Sequence, residues 1–186
     1  MIKFESFSSD ATSKTGLATT TRRLAQGFTP QQSHSIELVS LKVYRTTNSP
    51  TEIMTVEIRS DNSNKPSVVV LASGTSDPAN WDAATWFWVD IVLDTQPDLL
   101  KDTKYWIVIY CAGVDSTHYI DWQRDSGGTY SGGCYASSTD DGVNWTLSET
   151  NDFMFEDWGT LTSSCSPLPH LPHLPRLLDL TWCTGM

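Results

Sequence analysis

The sequence predicts an all-β protein, an antiparallel β-sandwich followed by a Pro-rich C-terminal tail. Three observations carry this. Between about residues 21 and 158, short apolar runs are separated by clusters of turn residues. Two of these runs alternate strictly, with Val39, Leu41 and Val43 against Ser40, Lys42 and Tyr44, then Met54, Val56 and Ile58 against Thr55, Glu57 and Arg59. Such a period of two belongs to a strand with one buried and one wet face. Finally, no window of 12 residues carries an apolar stripe of helical period.

Taken in order, residues 1–21 read as an N-terminal arm or edge segment, Ser/Thr-rich from residue 8 and poor in core material. Residues 22–160 read as one β-sandwich domain. Its first two alternating strands are joined by the turn Thr46–Pro50. The second is followed by the loop Asp61–Pro66, where Asx side chains can bond their own backbone, and by a short run from Val68 to Leu71. Two strands then differ from the rest. Trp86–Leu93 carries Phe87, Val89, Ile91 and Leu93 on one phase and Trp86 and Trp88 on the other; Tyr105–Cys111 carries Tyr105, Ile107 and Ile109 against Trp106, Val108 and Tyr110. The aliphatic phases are the better core candidates, which leaves the second faces to be covered or to serve a purpose. Further strands are expected at Tyr119–Gln123, Gly133–Ser137 and Asp152–Glu156, with a tight turn at Thr139–Gly142 whose Asp-Gly pair tolerates positive φ. Nine or ten strands over this length suffice for two packed sheets.

Residues 161–186 form the tail, in which Leu168, Leu171 and Leu174 recur every third residue. A polyproline II helix has three residues per turn, so these leucines would share an edge. With Leu177, Leu178 and Trp182 they are expected to dock on an aromatic sheet face of the same domain or of a neighbouring copy.

The chain of 186 residues carries 12 basic and 22 acidic side chains, a net charge of −10. This excludes the clustered Lys/Arg that replace counterions on nucleic acid, and it disfavours docking on an anionic membrane. No apolar stretch approaches membrane-span length, and the start lacks the apolar run of a secretory signal. The cysteines at 111, 134, 165 and 183 lack zinc-ligand spacing, and Cys111, closing an apolar strand, reads as a buried thiol.

The order of segments resembles a known module. Gln26-Gly27-Phe28, Ile36–Leu41, Met54–Arg59, Lys65-Pro66-Ser67, Val70–Gly74, Trp88–Ile91, Leu100–Val108, Ser138–Trp145 and Asp152–Phe155 together are similar to a jelly-roll-like β-sandwich of the choice-of-anchor and phage virion structural type. The resemblance spans about residues 22–158, and its motifs speak to fold more than to function. It departs from the family at Ser49–Glu52, at Val68 and at Asp102, where glycine is common.

His118 near Asp121 and Asp125 is a weak acid–base candidate, read more simply as an edge histidine beside solvated carboxylates. Asp140, Asp141 and Asn144 are weak calcium candidates without the spacing of a known calcium loop. No cofactor and no catalytic residue is called for. The aromatic faces say most. Trp86, Trp88, Trp106 and Tyr110 are candidates for a subunit interface or a saccharide platform, the former reading weighing more. The expectation is a non-enzymatic virion-associated or surface-displayed structural module, of head-decoration or tail-associated type. It would be made in the cytoplasm without a signal peptide and displayed on a virion or cell exterior, in contact with copies of itself or with other virion or surface proteins. A carbohydrate-binding module is the alternative.

Overall fold

A computed structural model describes residues 1–162. The docking expected of Leu168, Leu171, Leu174, Leu177, Leu178 and Trp182 therefore lies outside the described residues. In chain order the strands are β1 (Ile2–Phe7), β2 (Ser13–Leu17), β3 (Arg23–Phe28), β4 (His34–Arg45), β5 (Met54–Asp61), β6 (Pro66–Ser76) and β7 (Trp86–Val92). They continue as β8 (Asp98–Leu99), β9 (Tyr105–Cys111), β10 (Ile120–Asp125), β11 (Tyr135–Ser138), β12 (Thr146–Ser148), β13 (Asp152–Phe153) and β14 (Phe155–Leu161). A 3-10 turn at Pro78–Asn80, capped by Asp77, precedes β7. The strands beyond the expected nine or ten include pieces of two or three residues, too short to show any periodicity.

All pairings are antiparallel and build two sheets, so the fold is the expected β-sandwich. The chain passes repeatedly from one sheet to the other, as a jelly roll does. Sheet A contains β1, β2, β4, β7, β8, β10, β13 and β14; sheet B runs β12-β11-β3-β9-β5-β6. Long β4 organises sheet A. One of its edges pairs with β14 and then β10, and the other with β8 and β7. The N-terminal strands are sheet members, β1 on the edge beside β14 and β2 beside β10.

The core lies between the sheets and uses the aliphatic phases read from sequence. Val39, Leu41 and Val43 meet Met54, Val56 and Ile58, with Val89, Ile91, Ile107 and Ile109 completing the layer. Cys111 is buried in it with a free thiol. Trp122 stacks on Phe153 at 4.1 Å, nearly parallel, and its indole N–H donates to the Met154 carbonyl at 2.8 Å. A buried indole usually finds an acceptor for that N–H.

Two backbone details match the chemistry of their residues. Asp102, standing where the resembling family carries glycine, adopts φ 59°, a left-handed conformation that Asp tolerates better than bulkier residues. In the 139–142 turn, Asp141 and Gly142 both have positive φ, as the Asp-Gly pair suggested.

Candidate functional site

The sandwich has two outward sheet faces, and aromatic side chains populate both. On sheet B, the outward phase of β9 is closed over at Trp106 and Val108, while Tyr110 stays partly exposed. Trp106 and Val108 are fully buried in a second small core with Ala25, Cys134, Ala136 and Trp145, against which Leu147 packs. The hairpin β11–β12 and its connecting loop supply most of this cover. The Trp106 indole N–H donates to Asp61 Oδ1 at 2.7 Å, and Lys104 Nζ sits 4.8 Å from its ring centroid. Further along β9, the Arg23 guanidinium lies 3.9 Å above the Tyr110 ring, within cation–π range. Tyr110 Oη donates to Glu57 Oε1 at 2.9 Å, and Arg59 Nε donates to Glu57 Oε2 at 2.7 Å. Burial, and next the Glu57 carboxylate, push the Tyr110 phenol up.

On sheet A the corresponding face is open. Gly16, Asp121, Tyr44 and Trp86 stand in one row across β2, β10, β4 and β7, and Lys42 pairs with Trp88 in the neighbouring row. Residues two apart on a strand share a face at about 6.6 Å, so Trp86 and Trp88 present adjacent indoles. The Tyr44 and Trp86 rings approach to 5.4 Å, tilted by 42°. Lys14 Nζ hovers over Tyr44 at 5.4 Å and over Tyr119 at 5.8 Å while donating to Asp121 Oδ2 at 2.5 Å. That hydrogen bond holds the Lys14 ammonium above its ordinary pKa. Lys42 Nζ lies 5.7 Å from the Trp88 ring, and Ser40 Oγ donates to Asp90 on the same face. The result is a half-exposed strip, Tyr119–Tyr44–Trp86–Trp88, studded with both signs of charge.

The four aromatic residues singled out by sequence therefore do not form one platform. Trp86 and Trp88 lie on sheet A, Trp106 and Tyr110 on sheet B, because β7 and β9 belong to different sheets. What sequence reasoning missed are the partners Tyr44, Tyr119, Lys14 and Lys42. Tyr44 and Lys42 were visible in the polar phase of β4, but cross-strand register was needed to bring them beside β7 and to add Lys14 of β2 and Tyr119 from just before β10.

The weaker candidates resolve into turn chemistry. Asp140 Oδ1 accepts from the Asn144 backbone N–H at 2.9 Å and the Ser138 hydroxyl at 2.7 Å, while Asn144 Nδ2 donates to Asp140 Oδ2 at 2.7 Å. These bonds hold the Asp140 carboxyl down to about 2, the Asn144 N–H first. Asp141 instead reaches Arg23 at 3.4 Å. The three residues thus brace a turn with their own donors. His118, Asp121 and Asp125 are not brought together. His118 Nδ1 lies 3.0 Å from Asp115, Asp121 binds Lys14, and Asp125 accepts from the Gly127 N–H at 2.7 Å. Among the described residues, no group of three or more His, Cys, Asp or Glu side chains is placed to hold a metal ion.

A buried polar cluster emerges instead at one end of the interior. His34 and Asp157 are both fully buried, with Nε2 and Oδ2 2.8 Å apart in ion-pair contact, although the ring N–H is not aligned for a directed hydrogen bond. Phe4 stacks on the imidazole at 3.9 Å, and its neighbour Glu5 accepts from the Gln31 N–H at 2.9 Å. Phe4 is the extra residue where the β1–β14 register shifts between Lys3 and Glu5. Burial pushes the Asp157 carboxyl up against the pull of His34, and burial likewise raises Glu5. For His34, burial pushes down, but the Asp157 carboxylate outweighs it and the net shift is upward. The cluster fastens β1 to β14 and β4, and its groups lie too deep to meet a substrate.

No protein-family model matches the chain, and no curated protein matches it in sequence.

Proposed function

We propose that this chain is a non-enzymatic structural module of a virion or cell exterior, of head-decoration or tail-associated type, which works through surface contact with copies of itself or neighbouring proteins. The aromatic strip of sheet A is the contact surface. One observation supports the reading above all. Two tryptophans and two tyrosines stay half-exposed on a sheet face, in a protein that buries Trp106 and Val108 on the outward face of its other sheet. Large aromatics are the usual anchors of protein interfaces. Sedimentation velocity on the wild-type chain and on Trp86→Ala/Trp88→Ala tests this. Concentration-dependent assembly that the variant abolishes, with unchanged melting temperature, is the expected result.

A second reading has its own observation. The rings are flanked by the charged pair Lys14–Asp121 and the hydrogen-bonded pair Ser40–Asp90, which offer polar partners at the edge of an apolar surface, as a saccharide requires. Monomeric protein that binds glycans on an array, with binding abolished by Trp88→Ala, would replace the first reading with this one.

A further inference from the structure

The chain leaves its described residues beside a groove whose chemistry matches the sequence that follows. Thr160, Ser35 and Asp98 stand in one row across β14, β4 and β8. Two strand spacings, about 10 Å, thus separate the outgoing chain from β8. Asp98 lines an open groove of about 540 Å³ at this end of the sandwich. Leu71, Pro97 and Tyr105 give the groove an apolar wall, and Asp61, Asp98 and Asp102 make it acidic, with Lys104 at its margin and Lys101 4.0 Å from Asp102. Immediately before Leu71, edge strand β6 exposes Val68, Val69 and Val70, at 88%, 53% and 44% of their surface. These valines alternate between the two faces of the edge strand and leave apolar surface next to Leu71 in the chain.

The sequence from 168 to 176 repeats every three residues, and three edges follow in a helix of three residues per turn. In such a helix Leu168, Leu171 and Leu174 would share one edge, Pro169, Pro172 and Pro175 the second, and His170, His173 and Arg176 the third. Every ionisable side chain in this stretch is basic, in a protein of net charge −10. Leu168 lies six positions after Thr162, a reach of up to about 20 Å, which spans the distance to the groove.

We propose that residues 168–176 dock in cis at this groove, with the leucine edge on Leu71, Pro97 and Tyr105 and the His/Arg edge facing Asp61, Asp98 and Asp102. Prolines stiffen the segment beforehand, so docking orders less chain than a flexible peptide would. The inference stands on the groove and on the repeat, and is independent of the contact surface on sheet A.

Limited trypsinolysis of the full-length chain at low salt tests it, reading cleavage after Arg176 against a free peptide of the same sequence. The expected result is cleavage slower than in the peptide by about ten-fold or more, because proteolysis follows the population of the undocked state. Protection should be independent of protein concentration. It should be lost in Asp98→Asn/Asp102→Asn and in His170→Gln/His173→Gln, the second of which leaves every sandwich residue unchanged. Equal cleavage rates in wild type and both variants would overturn the proposal. So would protection that grows with concentration, which would mean docking on a second copy.

Discussion

Strands β7 and β9 are both aromatic on the phase that faces away from the core, yet Trp106 of β9 is fully buried while Trp86 and Trp88 of β7 stay half-exposed. The difference is positional. β9 is central in sheet B, flanked by β3 and β5, and the β11–β12 hairpin continues that sheet and closes over it with its loop. β7 is an edge strand, paired only with β4, and no described element crosses its outer face. The same local composition thus acquires a structural meaning in one sheet and a surface meaning in the other. What decides is whether the chain supplies a second layer, and that is a property of topology rather than of the strand.

The sharpest way to break this comparison is to truncate both faces. Trp106→Ala removes a fully buried indole and should destabilise the fold by about 3–5 kcal/mol, measured by urea unfolding. A loss as small as that of a surface substitution would mean that the second core is not packed as described. Asp61→Ala keeps the indole but leaves its N–H without an acceptor, and a loss of about 1–3 kcal/mol is expected in the same assay.

The interior between the faces is probed by pH. Glu5, His34 and Asp157 all have folded pKa values above their ordinary 4.5, 6.5 and 3.8, so the folded state binds protons more tightly than the unfolded chain. Their stabilising effect is complete below those ordinary values and is lost as pH rises through the folded ones. The urea midpoint should therefore be higher at pH 5.5 than at pH 8, and Asp157→Asn should flatten that slope. Asp94, Asp115 and Asp140 are shifted the other way, so their contribution is lost only as pH falls below about 4. A midpoint that rises from pH 5.5 to 8 would contradict the buried cluster. The smallest effect belongs to the open strip. Trp88→Ala should change stability by less than about 1 kcal/mol while removing a contact residue.

Much of this architecture was legible in the sequence. The buried phases of β4 and β5 follow from alternation, those of β7 and β9 from their aliphatic side chains, and the 139–142 turn from its Asp-Gly pair. The strip was half legible, since Trp86 and Trp88 announce themselves, whereas Tyr44 and Lys14 join them only through the register of β4 and β2 with β10. The buried cluster was not legible. Glu5, His34 and Asp157 are separated by 29 and 123 residues along the chain, and each reads as an ordinary solvated side chain until β1, β4 and β14 are aligned. Charged residues inside a sandwich break the alternation rule, and only tertiary pairing explains why they are tolerated there.

Hydroxyl-radical footprinting of the native chain, read by mass spectrometry at each aromatic residue, tests the central contrast most directly. Trp86 and Trp88 should be oxidised rapidly and Trp106 protected until the protein unfolds. Oxidation of Trp106 as fast as that of Trp88 would show that sheet B is not sealed, and the distinction between the two faces would fall.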